Sequence, residues 1–216
     1  MQEITLNTNT IMKKIAICLI ALLPLTMWAQ HNTWEMPEQE EAQEAKSQVN
    51  PNAKYLKGAV PEVDGKVVFS TTIDAPGKNA NEVYDIVAKY LHKMTGEKNQ
   101  IQSAINKEDK ANHEISAVYE EWLVFKSNAI YLDQTRFYYA LEAKCKDGSA
   151  HITLSHIRYL YDENRKPLRY TAEEWITDKV AVNKKNTRLY PLSGKFRRKT
   201  IDRKDFLFNK FAELLK

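Results

Sequence analysis

An Asp-Gly pair at 147–148 separates two long segments, Arg136–Lys146 and Ser149–Tyr161, in which apolar and polar residues alternate. Asp-Gly between alternating runs is the strongest short-range signal for a β-hairpin, because glycine accepts the positive φ that a tight turn demands. If that pair forms the turn, Cys145 lies opposite Ala150, Ala143 opposite Ile152 and Leu141 opposite Leu154. These six share one face, and Lys144, Glu142, His151 and Thr153 occupy the other. Cys145 is thereby predicted to be a core residue. Beyond Ser155 the phase slips, since Ile157, Tyr159 and Tyr161 now form the apolar set, and a β-bulge near His156 accounts for it.

The other segments supply what packs on this hairpin. Val67, Val68, Phe69 and Ile73 read as a strand closed by Ala75-Pro76-Gly77. Asn79 and Glu82 have capping-box spacing, and Val83, Ile86, Val87, Tyr90, Leu91 and Met94 recur at helical intervals up to Gly96. Strand patterning resumes at His113, with Ile115, Ala117 and Tyr119 alternating and Trp122–Phe125 compact and apolar. Thr171 and Glu174 form a second capping box before an inserted helix. Residues 183–199, basic and carrying Pro191 and Gly194, read as a loop, and a last helix runs from about Asp202 with Leu207, Phe208, Phe211, Leu214 and Leu215 on one stripe. The sum is an α+β domain over 65–216: a curved antiparallel sheet with helices packed on one face, plus the inserted helix before the C-terminal one. With 43% apolar and 28% charged residues, the chain has the composition of a globular domain.

The N-terminal region carries an address. From Met12, a basic start (Lys13, Lys14) leads into nine apolar residues, Ile15–Leu23, and a small residue at Ala29. This three-part pattern predicts a signal peptide over 1–29, with Met12 as the true start and cleavage near Ala29. The apolar run is too short to span a bilayer, so no transmembrane segment is expected in the mature chain. A lipoprotein reading through Cys18 is the weaker alternative, because bulky Ile17 precedes it and it comes early in the run. The expected product is periplasmic or secreted, from a Gram-negative cell. Residues 30–64, with Glu35, Glu38, Glu40, Glu41 and Glu44 among Gln and Ala, read as a polar acidic leader, mostly disordered.

Several stretches resemble a known family. They are Lys54–Phe69 (Lys-Tyr-Leu-Lys-Gly-Ala-Val-Pro-Glu-Val-Asp-Gly-Lys-Val-Val-Phe), Arg136-Phe137-Tyr138-Tyr139, Ile157-Arg158-Tyr159, Ala172-Glu173-Glu174-Trp175-Ile176 and Lys195–Asp202. Together they resemble a family of exported bacterial domains of unknown function, described as having a TATA-binding-protein-like (TBP-like) fold. The resemblance covers about 54–216 and implies a strand–helix–four-strand–helix core. It implies no activity, cofactor or site residue, and a fold name does not license nucleic-acid binding. TATA-box binding needs two repeats forming a saddle; one is present here, export removes it from DNA, and a formal charge of +4 is mild.

Chemistry-bearing residues are sparse. His31, His92, His113, His151 and His156 show no metal-ligand spacing, and Ser155-His156 as strand neighbours are expected on opposite faces. Glu120-Glu121 and Asp162-Glu163 read as solvated carboxylates. No catalytic, metal or cofactor-binding residue is assigned, and no cofactor is implied. The most distinctive charge feature is the basic stretch Lys184, Lys185, Arg188, Lys195, Arg197 and Arg198, continued by Lys199, Arg203 and Lys204, a candidate surface for an envelope protein or an anionic surface. Trp122, Tyr159 and Trp175 are candidates for an aromatic groove. The functional expectation is an exported, non-catalytic binding or protein-interaction domain of the cell envelope. The alternative is a lipid or sugar carrier with a pocket between sheet and C-terminal helix, with an unrecognised hydrolase more remote.

Overall fold

The computed structural model describes residues 50–216. The predicted signal peptide and the acidic part of the leader lie outside the described residues. Among those described, a single 3-10 turn at Ala53–Tyr55 precedes a two-residue ribbon, β1 (Glu62–Val63) and β2 (Lys66–Val67). Then come β3 (Phe69–Asp74), α1 (Ala80–Thr95), β4 (Ala104–Asp109), β5 (Glu114–Ser127), β6 (Leu132–Lys146), β7 (Ser149–Tyr161) and β8 (Leu168–Thr171). Two short helices, α2 (Ala172–Trp175) and α3 (Asp178–Ala181), lead to α4 (Pro191–Leu215). The six-stranded antiparallel sheet has the order β3-β7-β6-β5-β4, with β8 also pairing β7.

The hairpin forms in the predicted register: Cys145 pairs with Ala150, Ala143 with Ile152 and Leu141 with Leu154. Gly148 takes φ +73°, which an L side chain resists. The turn is also stitched to the start of α1, since Asp147 Oδ1 accepts from Ala80 N at 2.8 Å. The predicted bulge is present: Ala140 pairs with Ser155 and Tyr138 with Arg158, so His156 and Ile157 oppose Tyr139 alone. His156 holds φ +56°. At this point β7 also changes edge partner, from β3, which pairs up to Leu154, to β8, which pairs from Arg158.

Both predicted capping boxes form, Asn79 with Glu82 and Thr171 with Glu174. Helices α1 and α4 cover one face of the sheet. Tyr119 donates to Leu91 O at 2.9 Å, and the Tyr159 and Thr200 hydroxyls meet at 2.7 Å. Leu91, Phe137, Phe196, Leu207 and Phe211 are fully buried between these layers.

Three sequence expectations are corrected. The predicted runs 115–119 and 122–125 are one strand, β5, and β4 and β8 were not anticipated. Residues 191–199 are not loop: α4 starts at Pro191, where proline at the first helical position loses no hydrogen bond. Its Gly194 marks close packing, since a Cβ there would sit 2.6 Å from Leu189 Cβ. Lastly, 50–64 is packed structure where a disordered leader was expected. Tyr55 and Val60 are buried, and Tyr55 donates to Asp202 Oδ1 of α4 at 2.7 Å.

Candidate binding face of the sheet

The strand period of two puts every second residue on the face away from the helices. On β5 and β6 these are opposed pairs: Ser116 with Glu142, Val118 with Ala140, Glu120 with Tyr138, and Trp122 with Arg136. On β7, Arg158 stands beside Tyr138. Val118 is 44% exposed at the centre of this face.

Two grooves run across this face. One, of about 400 Å³, is lined by Val118, Tyr138, Ala140, Glu142, His156 and Arg158 among others. The second, of about 500 Å³, lies where β7 exchanges β3 for β8 and is lined by Val67, Val68, Thr153 and Ser155. Glu142, His156 and Arg158 border both, so the bulge forms the ridge between them.

The charges here are differently committed. Arg136 donates to Glu120 at 2.7 Å and grips Glu163 with two hydrogen bonds at 2.7 and 2.8 Å, with Trp122 5.4 Å away. Those bonds, to Glu120 first, push the Arg136 pKa up and lock its charge. Arg158 instead lies over the Tyr138 ring at 5.6 Å and makes no ion pair among the described residues. Arg169 is likewise unpaired among the described residues, and both guanidiniums border a third recess of about 360 Å³ with Tyr138 and Tyr170. Partial burial, then the Glu120 hydrogen bond, raises the Tyr138 phenol pKa and keeps the ring neutral under the cation.

The bulge overturns one sequence argument. Ser155 and His156 are not held apart, because Ser155 Oγ and His156 Nδ1 meet at 2.8 Å. Activating a hydroxyl through imidazole also needs a group orienting the second ring nitrogen. Among the described residues none hydrogen-bonds Nε2 of His156, and no cluster of three potential metal ligands occurs. The contact braces the strained bulge.

The predicted surface and groove are only partly realised. Lys184, Lys185 and Arg188 are exposed in the turn before α4. Lys195 is half-buried, bonded to Asp133 at 2.7 Å, and Arg198 donates to Asn52. Arg197 is wholly buried, donating at 2.6 Å to the carbonyls of Tyr55, Leu56 and Ile176 and to Asp178, so it is a clamp and no part of a surface. Burial lowers its pKa. Arg203 is also interior, against Glu121, and both Glu120 and Glu121 are buried and paired with arginines rather than solvated. Trp122 lies on the open face, Tyr159 is 1% exposed on the helix side, and Trp175 stacks on Tyr170 at 3.9 Å. These three aromatics therefore line no common groove. Arg158 and Tyr138 were missed as a pair; the alternation that placed Glu142 and Lys144 outward, carried across the bulge, would have found them.

A family model described as a domain of unknown function (DUF4468) with TBP-like fold matches residues 69–160. A crystal structure of a DUF4468 family protein from Bacteroides ovatus is similar at 43% identity and TM-score 0.71, covering 76% of this chain and 94% of that one. A TBP-like protein from Parabacteroides distasonis, 21% identical with TM-score 0.58, covers 72% of this chain and 96% of its own and shares the fold. No curated protein matches the chain.

Proposed function

The chain belongs to the DUF4468 family, and from that premise we propose that it is an exported, non-catalytic binding module that recognises a partner protein through the open face of its sheet. One observation carries this reading: Arg158, over the Tyr138 ring at 5.6 Å and without an ion pair among the described residues, stands at the junction of the two grooves. A guanidinium over a ring and bordered by apolar Val118 and Ala140 is suited to a carboxylate side chain on an extended polypeptide. The carrier alternative has less support, because Phe196, Leu207, Phe211 and Tyr159 fill the space between sheet and α4. The sequence supports export through its signal pattern at 12–29.

Fluorescence anisotropy with short labelled peptides of matched length and differing net charge tests the reading. Acidic peptides are expected to bind, and Arg158→Glu to weaken them by tenfold or more with the fold intact by circular dichroism. Equal binding of acidic and basic peptides, or indifference to Arg158→Glu, would refute it.

A further inference from the structure

Among the described residues, five of the seven exposed large apolar side chains are Ile130, Tyr131, Leu132, Tyr190 and Leu192. Ile130 and Tyr131, with Leu132, lie at the β5–β6 turn, and Tyr190 and Leu192 lie at the start of α4. Past Thr135, which pairs with Tyr161, the β5–β6 ribbon continues without further flanking strands to the pair Ser127–Leu132. Its tip holds Ile130, which is 99% exposed. Helix α4 begins at the same end: Lys195, in its second turn, reaches Asp133 at 2.7 Å and the Tyr161 hydroxyl at 3.0 Å, and Phe196 packs on Phe125 at 4.6 Å. Leu192 lies one turn closer to the helix start, hence toward the ribbon tip.

The charges around this end are one-sided. Asp133 is held by Lys195, Asp162 by Arg165, Glu163 by Arg136 and Asp178 by Arg197. Lys126 beside the tip and Lys166 after β7 make no ion pair among the described residues. Nor do Lys184, Lys185 and Arg188 of the turn that leads into α4, whose backbone at Thr187 and side chain at Asn186 meet Asn50 and Lys57. Apolar tips that include Tyr, set among free cations, suit the boundary between headgroups and acyl chains, where rings and aliphatic side chains enter and lysines meet phosphates.

We infer that this end, formed by the β5–β6 tip and the start of α4, docks on the surface of a bilayer containing anionic lipid. Ile130 and Leu132 enter the interface, and the Lys184–Arg188 turn holds the headgroups. The docked end is distinct from the grooves around His156, which stay open to a partner.

The apolar segment Ile15–Leu23 of the full chain can itself recruit it to membranes, so the test must read the tip. In full-length Cys18→Ser protein, Ile130→Cys is labelled with an environment-sensitive dye; Cys145 is buried. Labelled Lys89→Cys, at an exposed position of α1, is the control. Vesicles of phosphatidylcholine alone are compared with vesicles that also contain phosphatidylglycerol. A blue shift at 130, absent at 89, is expected only with the anionic vesicles. It should weaken on adding salt, and the triple Lys184→Glu, Lys185→Glu, Arg188→Glu variant should need at least tenfold more lipid for the same shift. A dye that stays in water while the chain co-sediments, or an equal shift on neutral vesicles, overturns the proposal. So does a shift without vesicles accompanied by a dimer in sedimentation, which would assign the tip to a second copy of the chain.

Discussion

Arg203 of α4 donates two parallel hydrogen bonds, each 2.7 Å, to the carboxylate of Glu121 on β5, and neither side chain is more than 1% exposed. The pair fixes helix to sheet in one register. Asn99 and Gln100 also donate to Glu121 Oε2, at 3.2 and 2.7 Å, so the carboxylate is satisfied from three directions. Removing one partner leaves a buried charge uncompensated, which costs about 3–5 kcal/mol. Arg203→Ala and Glu121→Ala should each lower urea-derived stability by that order. The Glu121→Leu, Arg203→Met double variant should recover part of the loss, limited by the orphaned Asn99 and Gln100 amides.

Arg197 gives a second test, because it satisfies three backbone carbonyls. Each buried acceptor left unpaired costs about 1–3 kcal/mol. Arg197→Ala should therefore destabilise strongly and release the 50–64 segment, seen as new protease cleavage there. Arg198→Ala should stay within about 0.5 kcal/mol of the parent. Any partner lost on replacing Arg197 would report unfolding, not a missing surface contact.

Gly194 is expected to reverse the usual helix rule. Glycine to alanine in a helix interior normally gains about 1 kcal/mol. Here the new Cβ would meet Leu189 Cβ at 2.6 Å, and overpacking costs about 1–3 kcal/mol. Gly194→Ala should lower Tm, and Gly194→Ala with Leu189→Ala should regain part of it.

These cases mark where the sequence was opaque. The central hairpin was readable because Asp147-Gly148 sets the turn and a period of two sets the faces; the phase slip even disclosed the bulge. Strand β4, Ala-Ile-Asn-Lys-Glu-Asp, is a half-solvated edge with one β-branched apolar residue, and four-residue β8 is too short to show a period. The start of α4 was hidden because Pro191 and Gly194 read as punctuation when each serves helix geometry. Whether Arg197, Arg203 and Glu121 are inside depends on partners far along the chain, which charge patterning cannot reveal. The open face was legible as an alternation, but its unpaired Arg158 was not.

Stability should fall on the alkaline side. Burial pushes the Cys145 thiol from 9.0 up to about 11, and burial followed by the Asp202 hydrogen bond pushes the Tyr55 phenol from 10.0 up to about 12. Burial raises the phenols of Tyr119, Tyr139 and Tyr159 as well. A raised folded pKa means that the protonated group favours the fold. That contribution is complete below the unfolded values near 9 and 10 and is lost as pH rises through about 11 to 12. Tyrosinate absorbance and circular dichroism should change together in that window. Alkylation of the Cys145 peptide, mapped by mass, should be slow at pH 9 and accelerate with unfolding.

The bulge separates stability from recognition. His156 carries φ +56°, and a left-handed non-glycine residue costs about 1–2 kcal/mol. His156→Gly relieves that strain but loses the Ser155 contact, so its stability should match or exceed the parent by about 1 kcal/mol or less. Binding of acidic peptides should nevertheless fall, because the ridge between the two grooves is removed.

The open face as the recognition surface is best tested by placing a photo-crosslinking benzoylphenylalanine at Val118 on that face, or at Lys89 on α1, in a bacterial host that exports the chain. Recognition through the sheet requires a discrete protein adduct from Val118 that is absent from Lys89 and lost on adding Arg158→Glu. Equal adducts from both positions, or adducts from Lys89 alone, would mean that the helical side carries the function and that the open face is only solvated sheet.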